Sequence, residues 1–75
     1  MDTLRLPQVH IRFNGISYDT DYADLDLTED SNDNVIREAA ARYLDAPASK
    51  LTNFVIDRNT ETGDITIHPQ AVFGN

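Results

Sequence analysis

The dipeptide Asn14-Gly15 constrains the fold of this chain more than any other feature of the sequence. Apolar and polar residues alternate over residues 9–13 before it, and the alternation resumes over residues 16–18 after it. Asparagine and glycine accept the positive φ angles of a two-residue type I′ turn, and alternation of this kind is typical of half-buried strands. The sequence therefore predicts a β-hairpin whose register is set by the alternation.

The alternation changes phase beyond this hairpin. Ile16 and Tyr18 are even-numbered, whereas the apolar residues between 23 and 27 are odd-numbered. One extra residue in a strand produces such a shift. We therefore predict a bulge or short loop at residues 20–22, after which the strand resumes.

Helical periodicity is confined to residues 32–46. The apolar residues at helical spacing are Val35, Ile36, Ala39, Ala40, Tyr43 and Leu44. Ser31, Asn32 or Asp33 can cap the start of a helix. Pro47 ends it, because the residue before a proline avoids the α region.

A second hairpin is predicted after the helix. Residues 54–56 begin a third strand, residues 59–64 supply turn residues, and Ile65 and Ile67 mark a fourth strand. Pro69 lacks a backbone donor and ends regular pairing. The order of elements is therefore β-β-α-β-β.

Two hairpins separated by a helix form one sheet when the first and last strands lie side by side in parallel and the helix covers one face. This arrangement is a compact β-grasp of the α+β class, with one helix across a mixed four-stranded sheet. An α+β sheet with only antiparallel neighbours gives the same order and stays open as the alternative. We treat 1–75 as a single domain with an N-terminal extension at 1–7 and a flexible C-terminal tail at 70–75.

Charge is distributed unevenly along the chain. The formal net charge is −7, and no Lys or Arg occurs between Phe13 and Ile36. The acidic residues of that stretch, called the acidic segment below, are Asp19, Asp21, Asp24, Asp26, Glu29, Asp30 and Asp33. Such a segment repels phosphate, so we expect no nucleic-acid binding and regard a basic protein as its natural partner. A solvated surface that promotes solubility is the simpler interpretation.

Residues able to carry chemistry are few. The chain has no cysteine, which excludes thiolate sites and fits a reducing compartment. His10 and His68 are expected on the surface, without metal-ligand spacing, and no serine stands in a nucleophile motif. No apolar run approaches the roughly 18 residues that span a bilayer. We therefore expect a cytoplasmic protein that is not an enzyme and has no cofactor, no metal and no membrane association.

The sequence resembles the ubiquitin-like family. The first hairpin, Leu25-Asp26-Leu27 before the capped helix, residues 44–47 after it and the strand at residues 54–56 follow the order of that family. The likeness runs from about Val9 to Gly74. The segment after the third strand is shorter than in ubiquitin, as in the small ubiquitin-like proteins of bacterial ubiquitination-like operons.

The resemblance implies a role for the C-terminal segment Ala71-Val72-Phe73-Gly74-Asn75. Modifiers of this family are activated at a terminal glycine, which fits a narrow enzyme channel because it lacks Cβ. Most end in Gly-Gly, but an aromatic residue before a single glycine is similar to the autophagy branch, in which a peptidase removes the residues beyond that glycine. By this likeness Asn75 is removed, Gly74 is conjugated, and Val72 and Phe73 guide the tail. A glycine without a role in a frayed end is the alternative.

The resemblance also implies a patch that partners recognise. The outward apolar residue of the third strand has this role in the family, which here is Val55, and Thr66 and His68 border it. Lys50 is the only lysine, so isopeptide-linked chains would use Lys50 or the α-amino group of Met1. An exposed valine or lysine without such a role is also ordinary.

The leading functional prediction is a ubiquitin-like protein modifier. Its partners would be an activating enzyme, a transfer enzyme, a processing peptidase and the target proteins, in a bacterial ubiquitination-like pathway. One alternative is a non-covalent β-grasp adaptor that binds a basic protein through the acidic segment. A second alternative is an acidic inhibitor that imitates the charge of nucleic acid.

Overall fold

The computed structural model describes residues 6–70, which form a mixed four-stranded sheet, one α-helix and two short 3₁₀ helices. The strands are β1 (Gln8–Phe13), β2 (Ile16–Asp21), β3 (Phe54–Arg58) and β4 (Ile65–Pro69). The helix α1 is Asp33–Leu44, and the 3₁₀ helices are Ala23–Leu25 and Ala48–Leu51. The predicted order β-β-α-β-β and the α+β class are confirmed.

The strand order across the sheet is β2-β1-β4-β3. The two central strands are parallel, with Val9 beside Ile65 and Ile11 beside Ile67. Both hairpins are antiparallel. The first and last strands therefore pair as predicted, and the alternative with only antiparallel neighbours is wrong.

The turn between β1 and β2 has the predicted backbone conformation. Asn14 has φ 54° and Gly15 has φ 78°, and Phe13 pairs with Ile16 on either side of them. Positive φ at both central residues is what a type I′ turn requires. This turn fixes the register of the whole hairpin as far as Gln8 opposite Asp21.

Of the two predicted alternatives after β2, the bulge is wrong and a short turn at Tyr22 is present, but the strand does not resume after it. Strand β2 continues in register to Asp21, and the chain then turns through the 3₁₀ helix Ala23–Leu25. The carbonyl of Tyr22 accepts hydrogen bonds from the amides of both Leu25 and Leu27, at 3.0 Å each, and Asp26 between them is left-handed with φ 55°. Leu25 and Leu27 are therefore both buried in the core, as residues two positions apart in a strand would be, although this segment is not a strand.

Helix α1 begins and ends within the predicted segment. The side chain of Asn32 accepts a hydrogen bond from the amide of Val35 at 3.0 Å and is the N-cap. Asp45 ends the helix in the left-handed conformation, so the predicted extension to residue 46 is wrong. The predicted apolar stripe is rotated, because Val35 is 42% exposed whereas Ala41 is buried.

The core lies between α1 and one face of the sheet. Its largest fully buried side chains are Val9, Ile11, Ile36, Leu51, Ile65 and Ile67. Burial of each large aliphatic side chain contributes roughly 1.5–3 kcal/mol. No helix within residues 6–70 is long and apolar enough to cross a membrane.

The loop between β3 and β4 is closed by its own hydrogen bonds. The amide of Asn59 donates to the carbonyl of Asp64 at 2.9 Å, and the amide of Gly63 donates to the carbonyl of Asn59 at 2.7 Å. The Asn59 side chain also accepts from two amides of the loop. The predicted turn is confirmed, and it places Asp64 immediately before β4.

Candidate functional site

The sheet face opposite α1, called the open face below, carries most of the residues singled out from the sequence. Alternate positions of each strand point to it, because successive side chains of a strand face opposite sides. Its residues are Gln8, His10 and Arg12 on β1, Ser17, Asp19 and Asp21 on β2, Val55 and Asp57 on β3, and Thr66 and His68 on β4. Each is exposed or half-buried.

The residues predicted to form a docking patch lie together on the open face. Val55 is directly opposite His68 in the β3–β4 ladder, and Thr66 lies two residues before His68 on the same strand. All three side chains are half-buried. The arrangement brings a small apolar surface beside a titratable ring, and its role in partner recognition stays a prediction.

His68 is held between two oxygen acceptors. Its Nε2 lies 2.7 Å from Oδ2 of Asp57, and its Nδ1 lies 3.0 Å from the carbonyl oxygen of Pro69. The hydrogen bond with Asp57 and then that with Pro69 raise the pKa of His68 above 6.5, while burial and the charge of Arg12 oppose the rise. The imidazolium is favoured because only the protonated ring donates from both nitrogens.

His10 occupies a comparable position on β1. Its Nδ1 lies 2.7 Å from Oδ1 of Asp19 on β2, and its Nε2 lies 3.3 Å from Oδ2 of Asp64. The hydrogen bond with Asp19 raises the pKa of His10, burial lowers it, and the bond with Asp64 raises it again, with a net rise. Oδ1 of Asp64 also accepts from the amide of Gln8 at 2.9 Å. His10 therefore links edge strand β2 to the start of β4.

A shallow depression of about 410 Å³ lies on the open face beside the first hairpin turn. It is lined by Arg12, Gly15, Thr66, His68 and Pro69. Arg12 is exposed, and within residues 6–70 its guanidinium makes no hydrogen bond or ion pair. The depression therefore combines one guanidinium without a partner in the described part of the chain, one hydroxyl and one imidazole.

The acidic residues of the acidic segment are all exposed. Several of their carboxylates have partners: Asp19 with His10, Asp21 with Gln8, Asp24 with Thr20, and Asp33 with Arg58. The other three members are Asp26, Glu29 and Asp30. The segment presents its negative charge along edge strand β2 and the connection that leads from it to α1.

The predicted conjugation and processing residues lie outside the described residues. They are Val72, Phe73, Gly74 and Asn75. Lys50 is described, and it is exposed in the second 3₁₀ helix, between α1 and β3. No group of three His, Cys, Asp or Glu side chains within residues 6–70 has the geometry to hold a metal ion.

Sequence reasoning missed the two His–Asp pairs and Arg12. The hairpin register was a usable signal for the first pair, because a two-residue turn at Asn14-Gly15 sets His10 opposite Asp19. The placement of Arg12 beside His68 depends on the parallel pairing of β1 with β4, for which no local signal exists. No protein-family model, curated protein or solved structure matches this chain.

Proposed function

We propose that this chain is a ubiquitin-like β-grasp protein modifier. Partner proteins recognise its open face, and partner enzymes remove Asn75 and join the carboxyl group of Gly74 to target proteins. The chemistry belongs to those enzymes, which activate the carboxylate and pass it to an amino group of the target. The domain supplies the surface that partners recognise, and the tail supplies the carboxyl group.

The path of β4 is the observation that carries this proposal. The strand lies at the centre of the sheet, parallel to β1, and ends at Pro69. Pro69 also lines the depression beside Arg12 and His68, and Gln70 after it is exposed. The polypeptide therefore leaves the described residues at the rim of the open face. Five further residues reach at most about 17 Å from Gln70, a distance that one partner protein bound to the open face can span.

The mixed sheet gives further support. A parallel pair of central strands flanked by two antiparallel hairpins, with one helix against one face, is the arrangement of a β-grasp. The aromatic residue Phe73 before the single Gly74 adds the likeness in the tail. Fold and tail together favour a modifier over a domain that only binds.

Three N-terminally tagged forms expressed in the native cells test the proposal. They are the full chain, a chain ending at Gly74, and a chain ending at Phe73. We expect covalent adducts that survive denaturant and reductant with the first two forms and none with the third. Thermal unfolding is the control, because the core lies within residues 6–70 and should be equally stable in all three. Adducts that persist in the third form, or that are absent from all three, would contradict conjugation through Gly74.

The exposure of the acidic segment favours a second candidate, an adaptor that binds a basic protein. The variant to test is Asp26→Asn, Glu29→Gln, Asp30→Asn, because none of these carboxylates is hydrogen-bonded to a side chain of residues 6–70. Octalysine is the probe. We expect its amide chemical-shift changes to map to the acidic segment at about 0.15 M salt and to weaken in the variant.

A matched control removes three negative charges elsewhere. Glu38, Asp45 and Glu61 are exposed and lie outside the acidic segment. The corresponding triple amide variant should bind octalysine nearly as well as the wild type. Equal weakening in the two variants would contradict a specific surface and would indicate attraction by net charge alone.

A further inference from the structure

The depression on the open face is a cationic spot on a strongly acidic molecule. The chain has a formal net charge of −7, and two of the five lining residues, Arg12 and His68, can be cations. Asp57 balances the imidazolium of His68 at 2.7 Å. Within residues 6–70 the guanidinium of Arg12 has no carboxylate partner, so its charge is available to a ligand.

The available donors define the chemistry of that ligand. The planar guanidinium group of Arg12 can donate two parallel N–H hydrogen bonds to the two oxygens of one carboxylate. The Thr66 hydroxyl provides one further donor. His68 has both ring nitrogens engaged by Asp57 and Pro69, so it gives the ligand no hydrogen bond; its imidazolium neutralises Asp57, whose charge would otherwise repel a carboxylate.

The surroundings favour a carboxylate over a phosphate. One guanidinium balances the single charge of a carboxylate, whereas a phosphate dianion keeps a surplus. The surplus would be repelled by the net negative charge of the domain. A ligand group with one negative charge, such as a carboxylate, therefore matches this site better than a phosphate dianion.

The surroundings also favour a segment of a protein over a small molecule. The depression is shallow and its polar side chains are exposed or half-buried, whereas small-molecule sites enclose most of their ligand. Val55, beside His68, offers a small apolar surface for a neighbouring side chain of the same segment. An extended segment with one acidic side chain and an apolar side chain two residues away satisfies both features, because side chains at i and i+2 face the same side.

We propose that Arg12, Thr66 and His68 bind a glutamate or aspartate side chain of an extended partner segment, and that Val55 contacts an apolar side chain of that segment. This inference rests on the part of the proposed function that assigns partner recognition to the open face. It does not depend on conjugation through Gly74.

An amide NMR titration with a blocked seven-residue peptide, which has one central glutamate, a valine two residues to either side and serine at the other positions, tests the inference. We expect shift changes centred on Arg12, Gly15, Thr66 and His68. A peptide with glutamine in place of glutamate is the ligand control and should bind several-fold more weakly. Shift changes centred on α1 instead, or equal binding of the glutamine peptide, would overturn the inference.

Arg12→Gln should weaken binding of the glutamate peptide about two- to fivefold, the range expected for an exposed ion pair. Arg42→Gln is the matched control, because Arg42 is an exposed arginine on α1 and lies outside the depression. Equal losses in the two variants would overturn the assignment of the site. Inorganic phosphate is a further probe, and shifts at the same amides as strong as those of the peptide would overturn the preference for a carboxylate.

The pH dependence provides a readout for His68. Arg12, Asp57, Thr66 and the Pro69 carbonyl face its ring. Its pKa is raised, so between about pH 5 and 6.5, where the peptide glutamate is ionised, the imidazolium and tight binding are present, and both are lost as the pH rises through the folded-state pKa of His68. His68→Gln should remove this dependence, whereas His10→Gln, on the same face but outside the depression, should keep it. Retained dependence in His68→Gln would overturn its role.

The outcome is separable from that of the modifier proposal. Adducts that depend on Gly74, together with no peptide binding, would reject this inference alone. Peptide binding at the depression without adducts would reject conjugation alone. The two measurements test different parts of the chain. Adduct formation tests the tail, and peptide binding tests the open face.

Discussion

Replacing each of two turn glycines with alanine gives different predicted losses of stability. Gly15 and Gly63 both have positive φ, at 78° and 81°. A Cβ added at Gly15 meets nothing within 4 Å, whereas one at Gly63 would lie 3.1 Å from Cγ and 3.2 Å from Cβ of Pro7. The pair therefore separates backbone strain from a steric contact.

The expected loss of stability in each variant depends on the backbone strain at positive φ and, for Gly63, on the contact with Pro7. An alanine in the left-handed region costs about 1–2 kcal/mol, and the lower entropy of its unfolded chain returns about 0.4–1 kcal/mol. Gly15→Ala should therefore lower the free energy of unfolding by about 1 kcal/mol. Gly63→Ala adds overpacking of about 1–3 kcal/mol against Pro7, for a total of about 2–4 kcal/mol. For 75 residues a total stability of about 4–11 kcal/mol is expected, so the difference is measurable.

Equilibrium urea denaturation followed by circular dichroism measures both losses. A double-mutant cycle with Pro7→Gly identifies the contact, because Gly63→Ala should cost less when the Pro7 ring is absent. Equal losses for Gly15→Ala and Gly63→Ala, or no coupling between Gly63→Ala and Pro7→Gly, would refute the reasoning.

Three further predictions concern the cap, the core and the histidines. Asn32→Ala removes the N-cap acceptor of α1 and should lower stability by about 1 kcal/mol in urea denaturation, whereas an unchanged midpoint would contradict the cap. Ile67→Ala opens a cavity in a fully buried position and should cost about 2–5 kcal/mol; a loss near zero in the same assay would contradict its burial. NMR titration should place the pKa of His10 and of His68 above 6.5. Their stabilisation should be present below pH 6.5 and lost as the pH rises through the folded-state pKa. His10→Gln should remove the share of this dependence that His10 contributes and leave that of His68; a depressed His10 pKa would contradict the His10–Asp19 pairing.

Local chemistry made much of the fold predictable. Asn14-Gly15 fixes a turn because few other residues accept two successive positive φ angles, and Asn32 caps a helix through its own side chain. Pro69 stands at the end of β4 because it has no amide to donate. Each of these features depends on only a few neighbouring residues, so the sequence is sufficient to predict it.

Features that depend on distant residues were not predictable in the same way. The segment after β2 was misassigned because a left-handed residue at Asp26 buries Leu25 and Leu27 on one side, as alternation in a strand does. The contact of His10 with Asp64 requires β1 and β4 to meet although the two residues are 54 positions apart in the sequence. No local pattern encodes that meeting, which is set by the packing of the whole core.

The branched peptides of the conjugates test the modifier proposal most directly. Arg58 is the last Lys or Arg of the chain, so trypsin should leave residues 59–74 attached to the target after Asn75 has been removed. Mass spectrometry of tagged adducts from native cells should then find target lysines joined by an isopeptide bond to Gly74. The contradicting result is an intracellular pool in which every C-terminal peptide is unbranched and retains Asn75.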